Sequence, residues 1–394
     1  MSPERRLLAR ERAYLNLPPL QDGPIWAVGF MTGTSIDAVD GAIILTDGEG
    51  VAEVGPAVEV PYTEDDRRTI VDAVEAARAW NWKGPKPEQA FKRAEAVAVD
   101  RHGEALDRLL DNWSGSAPVV AGIHGQTVLH RRPARGQPGA TLQIIDSAAL
   151  QTRLNLPIAY DFRSADVNAG GEGAPLAPVY HQALLQKSGL ENTAVVNLGG
   201  VANITFVTPS GDLLAFDAGP ANGPIDEWVA GHGRGSHDPN GAIAAAGSVH
   251  WGLIDQILDH PYFDDAPPKS LDRFDFDANL ARGLSLEDGA ATLTALCAAG
   301  LHRGLQHFDG KVDQLVICGG GRRNATLLSM LEQRLGPRVV TAEQVGWRGD
   351  SMEAEAFAYL AVRRLRDLPI SFPKTTGVPH PMTGGRLLSG NDAR

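Results

Sequence analysis

One pattern occurs twice in this chain and constrains its fold more than any other. It is a short apolar run, a tight turn rich in Gly, Thr or Ser, and a second apolar run. Residues 26–30 (WAVGF) lead through Thr32-Gly33-Thr34-Ser35 to residues 41–46 (GAIILT). Residues 194–197 (AVVN) lead through Gly199-Gly200 to residues 203–207 (NITFV). Apolar runs joined by so short a glycine-bearing turn read as hairpins, since glycine reaches the backbone angles a sharp reversal demands. Other strand candidates lie at 118–123, 142–145, 158–160, 213–216, Gln314–Cys318 and Arg338–Thr341. Helical spacing occupies 87–113, 225–230, 288–308, 325–335 and 351–366, and Asp146-Ser147 marks a helix start. Strands alternating with helices, with the opening motif repeated, predict an internally duplicated α/β architecture.

At 394 residues the chain has room for two lobes. The Gly/Pro-rich stretch 168–178 (NAGGEGAPLAP) divides an N-terminal lobe, 25–168, from a C-terminal lobe, 169–394. The last helix, 351–366, is free to pack back on the first lobe. Residues 1–24 read as an Arg/Glu-rich extension.

Composition narrows the function. With 43% hydrophobic and 21% charged residues the chain is an ordinary globular protein. Forty-eight acidic against 36 basic residues give a net charge of −12. So acidic a chain is a poor non-specific partner for nucleic acid, whose affinity comes from neutralising phosphates. Apolar runs such as 118–123 fall far short of the ~18 residues needed to span a bilayer, and the charged N-terminus lacks a signal peptide's apolar core. Both point to the cytoplasm. Cys297 and Cys318 make neither a metal spacing nor a disulfide framework and read as small buried hydrophobes.

The turns are the first candidates for chemistry. Gly33-Thr34-Ser35 exposes amides and hydroxyls that can cradle phosphate oxygens, and Asp37 just beyond can hold Mg²⁺ through water. The alternative is a plain hairpin turn in which Thr and Ser cap their own backbone. Gly199-Gly200, with Asn203 beyond, repeats the motif, and two such turns across a cleft can grip one nucleotide. Gly319-Gly320-Gly321 closes a strand and is followed by Asn324. Three glycines are entropically expensive, and the close approach of a flat ligand such as adenine accounts for them. Neither the G-x-G-x-x-G fingerprint nor the Gly-Lys-Ser/Thr of a P-loop is present there. Asp161 ends a strand, where a carboxylate points into a ligand crevice or else pairs with Arg163 or Arg153. His124-Gly125-Gln126-Thr127 is a second strand-end polar cluster or an ordinary loop. Asp350 and Glu353 fit a capping box, with ligand contact by Glu353 the alternative.

Taken together, these blocks resemble the anhydro-N-acetylmuramic acid kinase family of the acetate and sugar kinase/Hsc70/actin superfamily. The carrying segments are GFMTGTSIDAVDGA, GIHGQTVLH, YDFRSADVNAGGEGAPLAP, NLGGVANIT, FDAGPANGPIDEW, PPKS, ICGGGRRN and DSMEAEAFAYLA, in that order after Trp26. The resemblance implies two ribonuclease-H-like lobes of actin/sugar-kinase type with a central ligand cleft. It implies an enzyme that uses ATP and Mg²⁺ to open 1,6-anhydro-N-acetylmuramic acid with water and phosphorylate O6, in cell-wall recycling. Asp161 matches the family's catalytic base. Gly33, Thr34, Ser35 and Asp37 match the nucleotide-phosphate turn, with Asp37 toward the metal. Gly199, Gly200, Asn203, Gly319, Gly320, Gly321 and Asn324 match further nucleotide contacts. His124, Gln126, Thr127, Arg163 and Glu353 fall near the sugar. The chain departs from the usual pattern at Ala38, Glu172, Ala218, Ala221 and Leu271-Asp272. Its partners are then small molecules, with a homodimer left open. A sugar kinase without hydrolysis and a non-catalytic sensor are the alternative readings. Retention of both Asp37 and Asp161 weighs against the sensor.

Overall fold

The computed structural model describes residues 22–33, 35–111, 113–133, 136–271, 275–308 and 312–389. Thr34 and most of the N-terminal extension lie outside the described residues. By its contacts the chain divides into two compact units. One comprises Met1–Lys187, Ser351–Phe372 and Val378–Arg394, the other Ser188–Asp350 and Pro373–Gly377. The break therefore follows Lys187 rather than residue 168. The Gly/Pro-rich stretch is tied into the first unit, because the Gly173 amide donates to the buried Asp166 carboxylate (2.7 Å) and Arg163 Nη1 donates to the Gly173 carbonyl (2.7 Å).

The first unit opens with an antiparallel meander, β1 (Ile25–Thr32), β2 (Ala38–Thr46) and β3 (Val51–Pro61). The hairpin register runs from Ile25 opposite Thr46 to Thr32 opposite Val39. Helix α1 (Glu64–Trp80) starts at a Thr63/Asp66 capping box, and α2 (Glu88–Leu110) follows. Strand β4 (Val120–Ile123) pairs parallel with β1. Strands β5 (Gln126–Arg131) and β6 (Ala140–Ile144) form a separate two-stranded ribbon. Helix α3 (Ser147–Leu154) begins at Asp146, whose carboxylate accepts from the Ala149 amide (2.9 Å). Strand β7 (Ile158–Tyr160) pairs parallel with β4, followed by α4 (Ser164–Asn168) and α5 (Pro178–Ser188). Val28, Phe30, Ile43, Leu106, Leu109 and Ile123 are buried together between sheet and helices.

The second unit repeats the plan. Strands β8 (Thr193–Leu198), β9 (Val201–Val207) and β10 (Leu213–Pro220) form its meander. Helices α6 (Asn222–Gly231), α7 (Ala242–Ala245), α8 (Trp251–Leu258) and α9 (Leu286–Leu305) come next. Strand β11 (Gln314–Cys318), α10 (Ala325–Arg334) and β12 (Arg338–Thr341) complete the unit. Helix α9 is enclosed along most of its length, which its many alanines allow, and packs Cys297, Ala298 and Leu301 onto Val196, Ile204 and Phe216. Cys297 and Cys318 are both buried and form no disulfide among the described residues, and burial pushes the Cys297 thiol up to about 12.

The chain then supplies the first unit with α11 (Met352–Leu365) and β13 (Arg386–Leu388). The sheet orders are β13-β7-β4-β1-β2-β3 and β10-β9-β8-β11-β12. In each, the first three strands are antiparallel neighbours, and the next two join the first strand's free side in parallel. This is the duplicated ribonuclease-H-like α/β plan. Helix α11 lies against β1, β2 and β4. Its approach explains two glycines paired across β1 and β4, Gly29 and Gly122. A Cβ on either would sit 2.0 Å from a helix carbonyl, of Ala354 or Phe357. Among the described residues no helix is long and apolar enough to cross a membrane.

Candidate functional site

The first unit gathers its polar residues where β1 and β4 end. The β1–β2 turn closes with the Ile36 amide donating to the Gly33 carbonyl (3.3 Å). Ile36 has φ +53°, unusual for a β-branched residue, and its side chain is buried beside Ile70 and Phe91, which holds it there. Ser35 Oγ donates to Asp37 Oδ1 (2.7 Å), and the Ala38 amide donates to the same oxygen (3.0 Å). Ser35 and Asp37 are both exposed. The self-capping alternative is thus present in part, with the capping group the Asp37 carboxylate.

The His124–Thr127 segment is bonded to this turn. The His124 amide donates to the Phe30 carbonyl (3.2 Å), Thr32 Oγ1 to the Gly125 carbonyl (3.1 Å), and Gln126 Nε2 to the Gly33 carbonyl (3.3 Å). Arg163 Nε and Nη2 both donate to His124 Nε2 (3.1 and 3.0 Å). A guanidinium cannot accept, so the imidazole is neutral with its proton on Nδ1. Burial first, and Arg163 second, hold the His124 pKa well below the usual range, while the Thr32 carbonyl works the other way. Thr127 Oγ1 accepts from Gln143 Nε2 (3.1 Å), which also donates to Thr141 Oγ1 (2.8 Å). His130 Nδ1 lies 3.2 Å from the same Thr141 hydroxyl. Nothing in the sequence singles out Gln143, Thr141 or His130 as site residues, because the network that joins them exists only once β5 and β6 pair.

Asp161 directly follows β7 at φ +53° and is partly exposed. Neither arginine offered as its partner is paired with it. Arg153 Nη2 donates to Asp107 (2.5 Å), and Arg163 bonds His124 and the Gly173 carbonyl. Among the described residues no ion pair or side-chain hydrogen bond engages Asp161. Asp is one of the few residues other than glycine that take this left-handed conformation readily.

In the second unit, the carbonyls of Gly199 and Gly200 accept from the amides of Asn222 (2.9 Å), Ala221 (3.1 Å) and Gly223 (3.1 Å). Asn203 Nδ2 donates to Asp217 Oδ1 (2.9 Å), and the Leu271 amide donates to Asp217 Oδ2 (2.8 Å). Asp217 lies within FDAGP, and only the folded chain shows that it anchors Asn203. The three glycines divide by cause. Gly319 has φ +71°, and a Cβ there would lie 2.4 Å from Asn197 Oδ1. A Cβ on Gly321 would lie 2.6 Å from Leu198 Cβ. Close packing on β8 therefore accounts for both without a ligand. A Cβ on Gly320 would lie 3.7 Å from its nearest neighbour and one on Gly199 3.9 Å, ordinary van der Waals contact, so packing requires glycine at neither. Asn324 caps α10, its Oδ1 accepting from the Leu327 amide (2.9 Å).

One expectation is corrected. Asp350 does not cap the last helix. Ser351 occupies that position without a side-chain bond, and Asp350 instead pairs with Arg322 (2.6 Å) and Arg323 (2.7 Å). Two guanidiniums outbid one helix amide for the carboxylate. Glu353 stands exposed in the first turn of α11, outside any capping box.

Among the described residues no group of three or more His, Cys, Asp or Glu side chains could hold a metal ion. Mg²⁺ that travels on nucleotide phosphates keeps most of its waters and needs only one or two carboxylates. Exposed Asp37, which accepts the Ser35 hydroxyl and the Ala38 amide both at Oδ1, fits that role.

The duplicated strand order places the chain in the class of two-unit α/β proteins of ribonuclease-H-like plan. A family model described as anhydro-N-acetylmuramic acid kinase matches residues 26–389. The chain belongs to that family. It is 50% identical over 368 residues to the anhydro-N-acetylmuramic acid kinase of Rhizobium rhizogenes, covering 92% of this chain and 99% of that protein. It is 49% identical over 366 residues to the namesake in Phenylobacterium zucineum, covering 92% and 98%. Among solved structures, ligand-bound xylulose kinase from Lactobacillus acidophilus aligns with TM-score 0.41 and 11% identity, over 93% of this chain and 94% of that one.

Proposed function

We propose that this protein is an ATP-dependent kinase that opens 1,6-anhydro-N-acetylmuramic acid with water and phosphorylates O6, giving N-acetylmuramic acid 6-phosphate and ADP. The family match supports the substrate. The observation that carries the chemistry is Asp161, a carboxylate held at φ +53° at the end of β7 with both nearby arginines committed elsewhere.

Water is a weak nucleophile at neutral pH, so attack on C1 needs a base. Asp161 takes the water proton as the C1–oxygen bond forms and the C1–O6 bond breaks. The departing O6 attacks the γ-phosphorus, and the bond to the β-phosphate oxygen breaks to release ADP. Phosphoryl transfer then replaces protonation of O6 by a separate acid. In the first unit Gly33 and Ser35 supply backbone amides for phosphate, and in the second unit Gly199 and Gly320 are its own nucleotide contacts. Mg²⁺, held at Asp37 through water, would neutralise charge on the β- and γ-phosphates. His124, Gln126, Thr127 and Arg163 orient the sugar, with Glu353 a further contact. Two buried cysteines without a disulfide favour a reducing, cytoplasmic setting.

The test is isotopic. In ¹⁸O-water the label should enter the C1 hydroxyl and not the transferred phosphate, with the α-anomer formed first by inversion. Unlabelled C1–OH at early times would reject ring opening by water and favour a sugar kinase without hydrolysis. Running the ring-opened sugar alongside measures how far the enzyme prefers the anhydro form.

A further inference from the structure

The buried side-chain amide of Gln126 is only half used. Nε2 donates to the Gly33 carbonyl (3.3 Å) and the Thr127 carbonyl (3.4 Å). Oε1 is enclosed without a hydrogen-bond partner among the described residues. The amide cannot be turned over, because Oε1 would then face two carbonyl oxygens. Oε1 is thus a buried acceptor lacking a donor, a state that is costly until something donates to it. Both bonds from Nε2 exceed the usual range of about 2.7–3.2 Å, so they have room to shorten.

The other end of this amide bears on the turn. The Gly33 carbonyl also accepts the Ile36 amide that closes the turn, and Thr32 Oγ1 ties the adjoining backbone to Gly125. A shift of Gln126 therefore acts on a backbone oxygen within the segment assigned to the nucleotide phosphates.

We infer that Gln126 is a positioning residue that couples the two substrates. Its Oε1 accepts a hydroxyl or amide N–H of the sugar, and its Nε2 then draws on the Gly33 carbonyl and sets the phosphate turn. This rests on the function proposed above. Binding linkage is reciprocal, so a non-hydrolysable ATP analogue and the sugar should each tighten the other by the same factor.

The experiment is a binding cycle by calorimetry on the full-length protein. It uses 1,6-anhydro-N-acetylmuramic acid and a non-hydrolysable ATP analogue, each alone and in the presence of the other. Wild type should show mutual enhancement of about fivefold or more. Gln126→Glu keeps an acceptor and the side-chain length but cannot donate to Gly33. Its enhancement should fall to about onefold. Gln126→Met keeps the length with neither partner, and should lose the enhancement and part of the sugar affinity. It decides the matter if the Glu variant melts early. Enhancement that persists in both variants, or is absent from wild type, overturns the inference. Wild type that binds the analogue yet neither binds nor phosphorylates the anhydro sugar instead overturns the proposed function.

Discussion

Replacing Asp161 with Asn separates chemistry from structure unusually well, because of where the residue sits. Its carboxylate has no ion pair or side-chain hydrogen bond among the described residues, so the substitution breaks none. Asn also tolerates φ +53° about as readily as Asp, since both short polar side chains bond locally in the left-handed region. Stability should therefore stay within about 0.5 kcal/mol of wild type. The amide cannot take a proton from water. Loss of a general base costs roughly 10²–10⁴-fold in kcat, or about 3–5 kcal/mol of barrier. Asp161→Ala provides the contrast, with the same loss of turnover plus about 1 kcal/mol of destabilisation from a left-handed residue without a local acceptor. ADP release with the anhydro sugar, measured beside a urea melt of each variant, gives both quantities. Near-normal turnover in Asp161→Asn would refute the assignment of the base. So would a fall in stability large enough to explain the lost activity.

Two further predictions rest on the same structure. Alanine at Gly33, Gly199 or Gly320 meets nothing closer than 3.1, 3.9 and 3.7 Å respectively, so each variant should melt like wild type while its KM for ATP rises; Gly29→Ala and Gly122→Ala should instead lose about 3 kcal/mol or more, because α11 backbone blocks the Cβ, and unchanged melts there would contradict the packing. Burial lowers His102, His130 and His181 to about 4, so between there and ~6.5 the unfolded chain binds more protons; stability is fully present above ~6.5 and should fall by about 1.4 kcal/mol per pH unit for each histidine as pH drops, with His181→Gln flattening the slope in melts at pH 7, 6 and 5.

How much of the fold is legible in the sequence depends on how each element is stabilised. Strands β11 and β12 match their expected limits, being apolar runs bounded by Gly, Pro or polar residues. Strand β3 (VAEVGPAVEVP) carries no such signal, because it is a sheet edge with much of its length exposed, where Glu, Gly and Pro are all tolerated. Of the β5–β6 ribbon only β6 is marked, by the short strand expected at 142–145, whereas β5 belongs to the segment read as a polar cluster or loop, and the network of Thr127, Gln143, Thr141 and His130 appears only on pairing. Asp161, Gly33 and Gln126 are legible as strand-end and turn residues. That Gly319 and Gly321 answer to Asn197 and Leu198 is not, since only the folded chain brings β8 and β11 side by side.

The duplicated plan is filled differently in the two units. The strands β7 and β12 hold the same place in the two sheet orders, yet the segments after them differ. After β12 the chain enters a 3-10 turn, Ala342–Val345, with Thr341 and Gln344 capping one another, so its backbone needs are met locally. After β7 comes Asp161, in a left-handed conformation with no such partner. The turns diverge in the same sense. The carbonyls of Gly199 and Gly200 are taken up by the start of α6, whereas the Gly33 carbonyl reaches across to Gln126. The second unit's turn is thus fixed from within by its own backbone, and the first unit's is held by a side chain with an unused acceptor. On the proposed reading the first unit carries the base, the phosphate turn and the Gln126 amide that adjusts it, whereas the second unit's nucleotide contacts have their backbone groups already taken up.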